Sequence, residues 1–379
     1  MSKKTPSTNL TTTAFFENVA SLIEQARSFV GRTADLTMCQ TYYEIGRMIV
    51  EEEQGGSARA QYGRSLLKEL SRFLSVRVGK GFSETNLKNA RKFYLVYSPS
   101  IRQTMPAELK EGAASQIWQA LPAKSEFSQL WASQHFPFTL SWSHYLILMR
   151  IEDEHERRFY EIEATRQQWT YRQLQRQYNA SLYERLALSR DKHEVLKLSC
   201  EGQTIEKPKD ILKNPLVLEF LDLDEKAIYS ESDLENFIIN KLSQFLLELG
   251  KGFLFEARQK RFSFDEDHFI VDLVFYNRLL QCYLLIDLKT EKQKHQDLGQ
   301  MQMYVNYFDR YVKTNNERPT IGMLLCKEKN DNMVELTLPK EANIYASAYS
   351  LYLPDKALLQ RKLAEWAREY EESQGTEYK

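Results

Sequence analysis

At 379 residues, with 21 Tyr and 20 Phe, the chain is long enough for two or three cores and too aromatic for a disordered polypeptide. Its net charge of −1 excludes a uniformly polyanion-binding surface, and no apolar run approaches the roughly 18 residues of a membrane span. Cys39, Cys200, Cys282 and Cys326 stand far apart without a C-x-x-C pair, which excludes a disulfide framework and makes a reducing cytoplasm the expected compartment.

Residues 1–13 are rich in Thr and Ser, lack a hydrophobic signal region and read as a loose tail. Apolar positions then recur at helical spacing to about Glu53 (Phe15, Val19, Leu22, Ile23, Tyr42, Ile45, Ile49), until Gly55-Gly56-Ser57 breaks the pattern. A second amphipathic helix carries Leu66, Leu67, Leu70, Phe73 and Leu74. A Gly79-Lys80-Gly81 turn follows, and Ser83 caps a helix running through Tyr94. Helix, glycine turn and helix together predict a helix-turn-helix. Lys88, Arg91 and Lys92 on its second helix are the candidate nucleic-acid contacts.

Local charge supports this placement. Arg59 to Lys92 holds nine basic residues against two acidic, and Arg157 to Lys192 eight against four, so the near-neutral total conceals basic surfaces. Residues 98–138, with four prolines, read as short helices and loops. A helical pattern resumes from Ser141 to about Arg190, and a boundary is expected at 190–210. The expected domains are therefore 14–190 and 208–379. His144 reads as a hydrogen-bonded core residue, and His268 and His295 as surface residues.

Beyond the boundary the pattern changes class. A helix is expected over 233–249, strands over 252–264, 269–276 and 279–288, a helix over 296–311, strands over 320–326 and 343–353, and a closing helix over 355–373. This order predicts an α/β domain around a mixed sheet. Two of its strands carry charge where burial is expected: Asp272 within Ile270–Val274, and fifteen positions later Asp287 and Lys289. Burying an unpaired carboxylate costs several kcal/mol, so these charges need partners. Alternation along a strand puts Asp287 and Lys289 on one face, and Asp272 on a neighbouring strand completes a cluster. Two carboxylates and an amine suit a hard divalent cation and metal-assisted phosphodiester hydrolysis. The ordinary alternative is a structural ion pair, with Asp287 neutralised by Lys289 and Asp272 by Arg258 or Lys260.

The stretch from Asp210 onward resembles the PD-(D/E)XK nuclease superfamily, with Asp272, Asp287 and Lys289 on its signature. Nearly the whole chain is similar to the YhcG-like family, which joins a helical N-terminal domain to this nuclease domain. Segments carrying that likeness include Tyr43-Glu44-Ile45-Gly46-Arg47, Gly81-Phe82-Ser83 and Gly299–Tyr304. The resemblance implies a restriction-endonuclease-like fold, Mg²⁺ (Mn²⁺ as a substitute) held by Asp272, Asp287 and the Leu288 carbonyl, and Lys289 orienting and helping to deprotonate the attacking water. It also places Glu235 as a ligand of a second metal or its hydration shell, and Gln300, with Tyr304 four residues on, as a phosphate contact or a support for Lys289. Asp-x-Lys stands where Glu-x-Lys is more usual, and either carboxylate is an adequate Mg²⁺ ligand. The expected function is a metal-dependent DNA endonuclease near mobile elements, restriction or repair. Alternatives are a non-catalytic nucleic-acid-binding or complex-forming protein, or a nuclease acting on RNA. A homo-oligomer or defence-complex partner is left open, and no membrane association is expected.

Overall fold

The computed structural model describes residues 10–55, 60–104, 138–188, 192–213, 215–224, 229–264, 267–339 and 342–365. Expectations for residues 1–9, 105–137, the Asp265-Glu266 turn and the end of the closing helix lie outside them. Two compact units make up the chain: residues up to Arg157 with Ala164–Tyr171, and Arg158–Glu163 with Arg172 onward.

The first unit is helical. Its leading helix, α1 (Leu10–Gly55), takes in the last four residues of the stretch expected to be loose. It meets α3 (Glu84–Thr104) at Gly46, where a Cβ would overlap the Ala90 carbonyl, so only glycine permits this approach. Between them runs α2 (Ala60–Arg77). The Ser83 cap is present: Ser83 Oγ accepts from Asn86 N at 3.3 Å. Helix α3 continues ten residues past Tyr94 and runs through Pro99, which a helix interior tolerates only by giving up one backbone hydrogen bond. Phe93 is fully buried beneath Phe138 (4.7 Å), Tyr97 and Tyr145 (both 5.0 Å) and Trp142 (5.3 Å between ring centres).

The expected helical run 141–190 is divided into α4 (Trp142–Leu148), α5 (Glu154–Arg166), α6 (Tyr171–Asn179) and α7 (Leu182–Ala187). Gln168 and Ser181 interrupt it with φ of 51° each. A further helix, α8 (Lys192–Glu201), lies where the boundary was expected.

In the second unit six strands are ordered β1-β6-β5-β4-β3-β2: β1 (Leu216–Val217), β2 (Phe253–Phe264), β3 (Asp267–Asn277), β4 (Cys282–Lys292), β5 (Ile321–Glu328) and β6 (Ile344–Ser350). Neighbours β2–β3 and β3–β4 are antiparallel, and β4–β5, β5–β6 and β6–β1 are parallel. One face packs on α9 (Glu231–Asn240) and α10 (Leu242–Leu249), with Leu234, Ile238 and Phe245 against Leu273, Phe275 and Ile286. The other packs on α11 (His295–Tyr307), with Leu298, Met301 and Tyr304 against Val271, Val274 and Leu285. This is the mixed-sheet α/β architecture that the element order predicts.

The expected single helix over 233–249 is two helices broken at Lys241 (φ −118°, ψ 30°), after the weak helix formers Ile238, Ile239 and Asn240. Its start lies two residues earlier, because Ser230 and Asp233 form a capping box: Asp233 N donates to Ser230 Oγ (3.1 Å) and Ser230 N to Asp233 Oδ2 (3.0 Å). Strand β1 and α12 (Asp331–Thr337) carry too little periodicity to be anticipated.

Buried charge ties α6 and α7 into this unit. Glu248 of α10 is fully buried and accepts from Arg185 (2.5 Å), Arg176 (3.2 Å) and Val217 N (3.0 Å), while Lys213 donates to its backbone carbonyl. Burial alone would raise the Glu248 pKa, but Arg185, Lys213 and Arg176 overturn that and hold it at about 2.

Candidate active site

Strands β3 and β4 pair from Asn277↔Cys282 to Leu273↔Ile286 and then separate. Asp272 and Asp287 are the next residues on each side of that fork. On β4, Asp287 is 3% exposed, with Lys289 Nζ 2.9 Å from its Oδ2 but outside hydrogen-bond alignment, so this oxygen is buried with an unfilled acceptor direction. Burial pushes its pKa up to about 7 against the pull of Lys289, and Asp272 adds to the rise. The Lys289 ammonium also reaches Glu231 Oε2 (3.3 Å) on the first turn of α9. Burial draws its pKa down, but Asp287 and Glu231 outweigh that and leave it above the ordinary lysine range.

Asp272 accepts Leu288 N–H at 2.8 Å through Oδ2 and the Gln259 amide at 3.3 Å through Oδ1. Burial raises its pKa, the Leu288 bond and Lys289 oppose the rise, and Glu235 reinforces it. Glu235, one turn after Glu231 and 2% exposed, accepts from the same Gln259 amide and lies 3.0 Å from Arg258 Nε. Arg258 thus neutralises Glu235, not Asp272 as the ion-pair alternative expects. The four sequence-derived residues Asp272, Asp287, Lys289 and Glu235 come together, joined by two that the sequence did not single out, Gln259 and Glu231. The Ser230–Asp233 box could have placed Glu231 on the first helical turn beside the site. For Gln259 no sequence signal exists.

Gln300 does not reach this cluster through Lys289; its amide donates to the Tyr304 hydroxyl, which donates to the Ile270 carbonyl at 2.9 Å. Burial, and then Asp287, push the Tyr304 pKa up to about 12. Leu288, next in the chain to Asp287 and bonded through its N–H to Asp272, is fully buried. The oxygen donors Asp272, Asp287 and the Leu288 carbonyl fit a hard cation by type, and a cation would relieve the unfilled, raised-pKa oxygen of Asp287. Among the described residues, however, no three carboxylate, histidine or cysteine side chains converge closely enough to hold a metal as they stand.

In the helical unit, Lys88 pairs with Glu84 (2.6 Å) and Arg91 with Glu53 (2.6 Å), while Lys92 is exposed on the same helix. His144 bonds Ser141 Oγ (2.7 Å) and the Trp169 carbonyl (2.8 Å), as a core histidine does. His268 and His295 are exposed. Glu256 is exposed at a bulge of β2 and 3.9 Å from Lys260.

Residues 209–364 match the family model of the YhcG PDDEXK nuclease domain, and residues 18–185 that of the DUF1016 N-terminal domain. Over 359 residues, 92% of this chain and 92% of the relative, the sequence is 40% identical to "Putative nuclease YhcG" of Escherichia coli (strain K12). The chain belongs to the YhcG family. Its C-terminal domain is thereby of PDDEXK nuclease type, on the same residues that carry the acidic cluster. The compact units and the family matches divide residues 158–163 and 172–185 differently. Solved structures with some likeness are a repair endonuclease from Pyrococcus abyssi (18% identity, TM-score 0.24) and an EndoMS–dsDNA2 complex (15%, TM-score 0.25). Each covers 35% of this chain and spans half of its own length, so the fold assignment rests on the strand topology and the family match. Among the described residues no helix is long and apolar enough to cross a membrane.

Proposed function

We propose that this protein is a cytoplasmic DNA endonuclease that hydrolyses phosphodiester bonds with Mg²⁺, or Mn²⁺ in its place. The observation that carries the reading is the buried Asp287 carboxylate at the β3–β4 fork, raised in pKa and only partly satisfied, beside Asp272 and Lys289. Asp272 and Asp287, with the Leu288 carbonyl, hold the cation. When bound, Mg²⁺ neutralises charge on the phosphoryl oxygens and lowers the pKa of water. Lys289, kept protonated by its carboxylate neighbours, orients the attacking water and stabilises the charge that develops at phosphorus. Gln300, exposed at the rim and anchored on Tyr304, contacts a backbone phosphate. The helical domain recognises the substrate through α2 and α3, whose basic residues approach phosphates without reading sequence.

A non-catalytic reading is favoured by two observations: Glu235 is ion-paired with Arg258 and accepts from Gln259, and no three-ligand metal group is preformed among the described residues. Cleavage decides between the readings. Full-length protein incubated with duplex DNA, single-stranded DNA and RNA is expected to cut duplex DNA in Mg²⁺ or Mn²⁺ and not in EDTA. Asp272→Asn and Lys289→Ala should each lower the rate by at least about 100-fold, the usual cost of losing a transition-state charge partner. Undiminished cleavage in both variants would place the activity elsewhere, and preferential RNA cleavage would change the substrate.

A further inference from the structure

Gln259 lies on β2, the edge strand of the sheet, with φ at +47°. A non-glycine residue in the left-handed region inside a strand costs on the order of 1–3 kcal/mol and persists only where its surroundings impose it. Here the strand is also bulged at Glu256, three residues earlier. The outcome of both irregularities is one placement: the Gln259 carboxamide stands between Glu235 of α9 and Asp272 of β3 and touches both. Two carboxylate acceptors can be bridged only by the NH₂ end of an amide, which fixes its orientation. Next to it, Arg258 lies 3.0 Å from the other Glu235 oxygen as an ion pair and donates to Asn236 Oδ1 (3.2 Å), so a second residue of β2 is tied to α9 beside the bridge.

We propose that Gln259 is a positioning residue of the nuclease centre, whose amide holds Glu235 and Asp272 together in the cation-free protein and is displaced when a divalent cation draws on those carboxylates. This rests on reading the site as metal-dependent. An amide NH₂ carries partial positive charge and satisfies the two acids without neutralising them. It therefore keeps them close at a small cost and competes only weakly with an ion of charge two. Strand strain at Gln259 makes its release easier, since the left-handed backbone is held in part by the bridge itself.

The test is Mg²⁺ binding to EDTA-stripped full-length protein by titration calorimetry, with no substrate present. Gln259→Gly removes the amide and suits a positive φ, so the fold is retained. Its Mg²⁺ affinity is expected to rise on the order of tenfold, the equivalent of one charge-assisted hydrogen bond no longer displaced. Gln259→Asn, one methylene shorter, cannot span both carboxylates and should shift affinity in the same direction, which keeps the test valid if the glycine variant misfolds. Unchanged or weakened Mg²⁺ affinity in the folded variants overturns the proposal. If the wild type binds no Mg²⁺, or Asp287→Asn binds it as well as the wild type, the metal-dependent reading itself fails and Gln259 loses this role with it.

Discussion

Asp272 has two duties that pull apart on mutation. Its carboxylate is a candidate cation ligand, but it also accepts the N–H of fully buried Leu288. Replacing it by Ala removes a crowded negative charge and orphans a buried donor, at about 1–3 kcal/mol. Asn keeps the acceptor. Asp272→Ala is therefore expected to melt below Asp272→Asn in EDTA, although both lose cleavage; equal melting temperatures would show that the Leu288 bond contributes nothing. Asp287 gives a pH signature. Its folded pKa of about 7 exceeds the reference value of 3.8, so between these values the folded state binds more protons than the unfolded state. Stability in EDTA should fall as pH rises across that window, relative to Asp287→Asn, which lacks the group. Parallel stability profiles for the two proteins would contradict the raised pKa. At this scale the charged residues were legible because Asp272, Asp287 and Lys289 interrupt apolar strand runs. Gln259 was not, because an exposed glutamine in an edge strand is ordinary, and a left-handed φ leaves no mark in composition.

At the scale of elements, amphipathic period located the long helices and the central strands, while breaks within helices escaped it. Lys241 divides α9 from α10 inside an unbroken apolar stripe, and Pro99, an expected terminator, lies within α3. Close packing explains one motif of the resemblance. Gly46 exists in Tyr43-Glu44-Ile45-Gly46-Arg47 because α1 and α3 touch there. Gly46→Ala should destabilise the helical domain by about 1–3 kcal/mol through overpacking, despite the better helix propensity of alanine. A stabilised variant, measured by urea denaturation, would show that the helices can part without cost. On α3, the ion pairs of Lys88 and Arg91 reduce what each can give to phosphate. The triple variant of Lys88, Arg91 and Lys92 to Ala is still expected to flatten the salt slope of log K on duplex DNA, by at most about 0.9 per lost contact. An unchanged slope would assign this face to solvent or to a protein partner.

For the whole molecule, the sequence suggested a cut at 190–210, yet Arg176 and Arg185 reach across that stretch to Glu248. A fragment beginning at 208 leaves Glu248 buried with Lys213 as its remaining cationic partner, a loss of about 3–5 kcal/mol. It is expected to be insoluble or molten, whereas one beginning near 150 folds; a cooperative melt of the shorter fragment would show that the buried pairs are dispensable. These buried pairs were illegible because charged helices such as α6 look solvent-facing in sequence, and only the fold reveals which arginine is buried.

The edge strand β1 pairs with β6, joining Leu216 to Tyr349 across 133 positions, and β5 lies directly beside Asp287 through its Leu324. Every proposed catalytic side chain, from Glu235 to Gln300, leaves the ribosome before either of those later strands. At roughly 5–20 residues per second, the 61 residues between Lys289 and Ser350 take about 3–12 s to synthesise. Through that interval Asp287 has no β5 to bury it, and the nascent chain carries the reactive groups without the dry fork that gives them their chemistry. Under the proposed function, the long sequence separation of the closing strands would act as a delay, withholding cleavage until synthesis of the sheet is complete.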